Sequence, residues 1–127
     1  MRTNIVRMRE FDEAWNERRW VDYGDLLSES VRVVALFGAM PQDKQRHIEA
    51  EITFCQAYPD ASRHINPYES FFTSGDGRRT ACVMRITGTR RSAIPSIGPP
   101  FSPVLDLRAA FICTWTSGAI AELLQFS

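Results

Sequence analysis

No stretch of this sequence approaches the roughly 18 consecutive apolar residues of a membrane span. The first residues, with Arg2, Arg7, Arg9 and Glu10, hold no uninterrupted apolar core of the signal-peptide kind. Neither sign of charge is in excess. The 15 basic and 15 acidic side chains cancel, which removes the basic surplus expected of a nucleic-acid binder. Histidine is scarce, with only His47 and His64, and no two cysteines are spaced Cys-x-x-Cys, so no metal site is expected. Cys55, Cys82 and Cys113 are far apart and set in apolar surroundings. They read as reduced core residues of a cytoplasmic protein. Internal repeats and low-complexity tails are also missing.

What is present is a chain long enough for one domain, residues 1–127, with a real core. The clearest element is a C-terminal hairpin from Val104 to Ser127. Leu105, Leu107, Ala109, Phe111, Cys113 and Trp115 alternate with Asp106, Arg108, Ala110, Ile112 and Thr114, the period of a strand with one apolar face. Ser117-Gly118 supplies a tight turn, and Ala119 to Phe126 reads as the return strand. Two long strands of this kind make the floor of a sheet, which the upstream elements would roof.

Upstream, Ile5, Met8, Phe11 and Trp15 recur at helical spacing and predict a helix from about Asn4 to Arg19, with Thr3 as its N-cap. Trp20 to Ser28 predicts a second, shorter helix, and Val31 to Phe37, rich in β-branched residues, a strand. Pro41 suits the first turn of a third helix, which packs Ile48, Ile52 and Cys55 and stops at Pro59. Ala61 to Ser74 reads as extended, with a bulge or edge position at Pro67. Arg79 to Thr89 is the next strand, with Cys82, Met84 and Ile86 on one face and Val83, Arg85 and Thr87 on the other. Arg90 to Pro103, with four prolines, is an irregular loop. Three helices in the N-terminal half, then four strands, predict an α+β fold with a mostly antiparallel sheet.

Several short motifs recur in a telling order: Phe11 to Asn16 (FDEAWN), Asp25-Leu26-Leu27, Tyr58-Pro59-Asp60, Gly75-Asp76, Thr87-Gly88-Thr89, Gly98-Pro99-Pro100 and Ser117 to Glu122. Together they resemble the SnoaL-like polyketide cyclases, within the nuclear transport factor 2-like (cystatin-like) superfamily, over nearly the whole chain. The resemblance implies a cone-shaped curved sheet, a cavity for a hydrophobic small molecule, no cofactor, and a homodimer. It also implies positions to inspect. The proton-transfer residues of ketosteroid-isomerase relatives fall at Phe11, Ala35 and Phe111, none of which can move a proton. Limonene-epoxide-hydrolase relatives would place their arginine at Arg85 but their aspartates at Thr87 and Gln125. The histidine and acidic residue of the cyclases fall at Arg90 and Gln125.

The candidate catalytic residues are therefore Arg85, as a cation facing the cavity, with His64 or Asp106 moving a proton. Each has a plainer reading. Arg85 pairs with a carboxylate or reaches solvent, Asp106 is its cross-strand partner, and His64 is a satisfied residue at a strand start. Phe11, Trp15, Thr87, Phe111, Trp115 and Gln125 are the candidate pocket residues, the rings acting as wall. Tyr23 and Tyr68 are hydrogen-bond donors or packing, His47 is expected at the surface, and Arg90-Arg91 is a candidate guard of the cavity mouth. Two functions remain open: acid-base cyclisation or isomerisation of a hydrophobic carbonyl compound, or non-catalytic ligand binding or pairing on the same fold.

Overall fold

A computed structural model describes residues 3–35, 40–89 and 104–126. In chain order these form α1 (Asn4–Asn16), α2 (Trp20–Asp25), β1 (Leu27–Ala35), α3 (Lys44–Ala57), β2 (Ser62–Arg63), β3 (Ser70–Thr73), β4 (Arg79–Thr89), β5 (Val104–Thr116) and β6 (Ala119–Phe126). The strands make one curved sheet in the order β1-β6-β5-β4-β2, with β3 also paired to β4. Among the described strands only the β1–β6 pairing is parallel. The architecture is α+β, as the pattern of elements predicts.

The hairpin β5–β6 anchors the sheet. Ser117 and Gly118 both have positive φ, 52° and 81°, the backbone that a two-residue hairpin turn needs. Alternation then decides which side chains go inward. Met84, Ala109, Phe111, Cys113, Trp115, Ile120 and Leu123 are buried on the face that meets the helices. Met8, Phe11 and Trp15 of α1, Tyr23 of α2 and Cys55 of α3 close over it in one continuous core. Each large side chain so buried contributes roughly 1.5–3 kcal/mol before entropy is counted.

Several expectations shift. Arg18 takes φ 58°, so α1 ends at Asn16 rather than Arg19. Thr3 does cap α1, accepting from the Val6 N–H at 3.2 Å. The third helix starts at Lys44, because the Asp43 carboxylate caps it by accepting from the Arg46 N–H at 2.9 Å; Pro41 lies outside it. β1 begins four residues before Val31, drawn into the sheet by the pairing of Leu27 with Ile120. Its expected end at Phe37 lies outside the described residues. The single extended stretch from Ala61 to Ser74 is two strands, β2 and β3, that share one edge of β4 in succession, so five described strands follow α3 instead of four. Gly88 permits the first of these contacts: a Cβ there would stand 3.1 Å from the Cα of Ala61.

Candidate functional site

The site begins with a period-two run at the start of β2. Ala61, Arg63 and Ile65 turn inward and are at most 3% exposed, while His64 between them turns out. That parity puts the Arg63 guanidinium inside the cone. A buried cation needs partners, and α1 supplies the first. Asp12 sits on the buried stripe with Met8, Phe11 and Trp15, and its Oδ1 accepts from Arg63 Nη1 at 2.8 Å. The Tyr68 hydroxyl donates to the other oxygen of Asp12 at 2.5 Å. Aromatic faces supply the rest. The guanidinium carbon lies 4.4 Å from the Trp15 ring centre and 4.8 Å from that of Phe111, which is cation–π geometry.

The second carboxylate comes from α3. His47, Glu51 and Cys55 are spaced by four and share one face of that helix. Glu51 Oε2 accepts from the Trp15 indole N–H at 2.9 Å and lies 4.0 Å from Arg63 Nη2. Behind it, His47 Nδ1 is 3.9 Å from Glu51 Oε1, and His47 Nε2 is hydrogen-bonded to the Tyr23 hydroxyl at 2.7 Å. The expectation that His47 lies at the surface is thus corrected. It is 1% exposed, because α3 turns its His47-Glu51-Cys55 row inward and leaves Ile48 and Ile52 only half-buried.

Of these residues Trp15, Glu51, Arg63 and Phe111 border a cavity of about 260 Å³. Trp15, Glu51, Phe54 and Arg63 form its polar end, Ile86, Leu107, Ala109 and Phe111 its sheet wall, and Ala35, Gln125 and Phe126 complete the lining. A mostly apolar hollow with a few convergent polar groups is the usual form of a small-molecule site.

Burial and charge set the protonation states. Burial opposes the Arg63 charge, yet the carboxylates of Asp12 and Glu51 offset it and hold the guanidinium protonated. Burial raises the Asp12 carboxyl above its ordinary range, although Arg63 and Tyr68 pull the other way. Burial also lowers His47, keeping the imidazole neutral at neutral pH, and raises Tyr68.

The sequence-predicted residues divide in three. Trp15, Phe111 and Gln125 line the cavity. Phe11 and Trp115 are core: the Phe11 ring stacks on Tyr23, and the Trp115 indole donates to Thr80. Arg85, Asp106, His64 and Thr87 stand apart from the hollow. Arg85 follows Met84 and precedes Ile86, both buried, so its side chain leaves by the opposite face, 58% exposed. There it forms a two-pronged pair with Asp106, Nε to Oδ1 at 3.2 Å and Nη2 to Oδ2 at 2.7 Å. His64 Nε2 is hydrogen-bonded to Thr87 Oγ1 at 2.7 Å, with His64 exposed and Thr87 half-buried. The placement of Arg85 in the cavity is therefore corrected: the guanidinium in the hollow belongs to Arg63. Arg90 and Arg91 lie outside the described residues. Among the described residues no group of three or more His, Cys, Asp or Glu is arranged to hold a metal ion, and no helix is long and apolar enough to cross a membrane.

No protein-family model and no curated protein matches this chain. Solved structures do. A protein from Pseudomonas putida, provisionally described as a polyketide cyclase, superposes with a TM-score of 0.80 at 19% identity, over 100% of this chain and 92% of that one. A provisional SnoaL-like polyketide cyclase from Jannaschia gives 0.78 at 17% identity, over 97% and 83%. A cystatin-fold protein of undescribed function from Novosphingobium aromaticivorans gives 0.77 at 10% identity, with 100% of both chains covered. At these identities the likeness is one of fold, and the fold is the SnoaL-like, nuclear transport factor 2-like cone.

Proposed function

On this SnoaL-like cone fold, we propose that the protein binds a hydrophobic carbonyl compound of polyketide type, of one or two rings, and rearranges it by acid-base chemistry without a cofactor. The observation that carries the reading is the pair Glu51 and Arg63: a carboxylate and a guanidinium 4.0 Å apart that border one apolar hollow. Glu51 takes a proton from the carbon beside the carbonyl. The electron pair left behind moves onto the carbonyl oxygen, and the resulting enolate is stabilised by Arg63. The carbon is then reprotonated, giving an isomer, or attacks a second carbonyl, closing a ring. Apolar walls strengthen both charges by excluding water. The roles that the sequence suggests for Arg85, His64 and Asp106 pass to Arg63 and Glu51.

The test is solvent deuterium exchange into 2-tetralone, an apolar two-ring ketone, followed by proton NMR in D₂O. Wild-type protein accelerates exchange beside the carbonyl, and Glu51→Gln removes the acceleration while still binding the ketone. Binding without acceleration in the wild type contradicts the catalytic reading.

One feature favours a purely binding role. Arg63 is held by Asp12 and sandwiched between rings, as a structural cation would be. Tetralone binding with no exchange is the outcome that role predicts. The protein is further proposed to act as a cytoplasmic homodimer. Its cysteines are free and buried, as a reducing compartment keeps them. Pairing would use the outer sheet face, where Arg85–Asp106 and Arg108–Glu69 lie. Light scattering on the purified protein decides between a mass of one chain and two.

A further inference from the structure

Arg63 is more deeply buried than its bonding explains. A guanidinium carries five N–H donors in a planar fork. Among the described residues, Nη1 donates to Asp12, the Tyr23 hydroxyl also bonds the guanidinium, Nε is buried without a partner, and Nη2 stands 4.0 Å from Glu51, beyond hydrogen-bond reach. A buried donor left unmade is costly, and more so when it is charged. Where Arg63 and Glu51 border the hollow without bonding each other, the group that would complete them is an oxygen.

Charge determines which kind of oxygen. Two carboxylates, Asp12 and Glu51, already share the one guanidinium. The next cation near them, Arg9, is exposed and stacks on the Tyr68 ring at 5.6 Å, so it does not enter the hollow. A ligand carboxylate would lose its hydration and become a third anion on one cation. A neutral hydroxyl avoids both costs. Its oxygen accepts from Arg63, and its proton is donated to Glu51, whose Oε1 has His47 Nδ1 at 3.9 Å as its near neighbour. The hydroxyl must be carried on a flat apolar body to fit between Trp15, Phe54 and Phe111.

We infer that the cavity selects a neutral phenol or enol and rejects the matching carboxylate, with Arg63 and Glu51 acting together as the specificity filter. This rests on the cavity being the binding site, and the experiment separates the two claims. Isothermal titration of the intact protein at neutral pH compares 2-naphthol, 2-naphthoate and 2-methylnaphthalene, which share a ring system and differ in the polar group. Naphthol is expected to bind at least tenfold more tightly than either of the others. In Glu51→Gln, naphthoate should gain severalfold, because one opposing charge is gone, while naphthol loses its advantage over methylnaphthalene. A structural role for Glu51 would not raise naphthoate affinity. Naphthoate binding the wild type as tightly as naphthol, or failing to gain in Glu51→Gln, overturns the filter. Methylnaphthalene matching naphthol overturns it as well, and leaves the cavity reading intact. No binding by any of the three overturns both.

Discussion

Arg63 and Asp12 are 51 positions apart in the chain, yet Nη1 and Oδ1 meet at 2.8 Å with both side chains at most 2% exposed. The contact ties the short strand β2 to the middle of α1 and fixes where the polar end of the cavity lies. Neither residue has a cheap way to lose its partner, since each would be left charged and dry.

Asp12→Asn should therefore be strongly destabilising. Removing one member of a buried pair costs on the order of 3–5 kcal/mol, whereas replacing both with apolar groups of similar size costs far less. Urea denaturation of Asp12→Asn, Asp12→Leu, Arg63→Met and Asp12→Leu/Arg63→Met reads this directly. The double variant is predicted to be more stable than Asp12→Asn, and a double variant that loses the sum of the two single effects contradicts the pairing.

His47 predicts a pH dependence. Burial lowers its pKa from the ordinary 6.5, with Arg63 acting the same way and Glu51 against it. The unfolded chain therefore takes up the proton first. Stability from keeping His47 neutral is present above pH 6.5 and is lost as pH falls towards and through the lower, folded value. Denaturation midpoints at successive pH values should fall more steeply below pH 6.5 in the wild type than in His47→Gln. Parallel curves would mean that His47 is protonated equally in both states.

Arg85 and Asp106 predict the opposite kind of result. The pair is exposed on both sides and screened by water. Arg85→Ala and Asp106→Ala should leave tetralone affinity unchanged. A loss of binding in either variant would move the site to the outer sheet face.

Phe111 is the wall residue most open to test. It borders the cavity and covers one face of Arg63. Phe111→Ala should cost about 3–5 kcal/mol, since a large buried ring leaves a void that collapses only in part. It should also admit ligands larger than two rings, measured by titration with a three-ring ketone.

Much of the frame was legible from side-chain alternation. β4 and β6 run over the predicted residues, and the buried face of β4 is the one that Cys82, Met84 and Ile86 mark. Apolar periodicity fails at residues that are polar and inward. His47 and Glu51 sit on the buried row of α3, which the neighbouring Ile48 and Ile52 disguise in the sequence. Asp12 was readable in principle, one step beyond Phe11 and three before Trp15 on the α1 stripe. Arg63 was also readable, between Ala61 and Ile65 with their parity. Its strand is two residues long, too short to show a pattern by itself. Arg85 stands on a long and regular strand, and its own alternation with Met84 and Ile86 assigns it to the outer face.

The central claim is that ligand enters the hollow between α1, α3 and the sheet, beside Trp15. The side-chain N–H resonances of the three tryptophans report on it most directly. Trp15 donates to Glu51 at the cavity, whereas Trp115 donates to Thr80 in the packed core. Saturation with 2-tetralone should shift the Trp15 indole resonance and leave that of Trp115 in place. A titration that leaves Trp15 unmoved while amides around Arg85 and Asp106 shift would contradict the account.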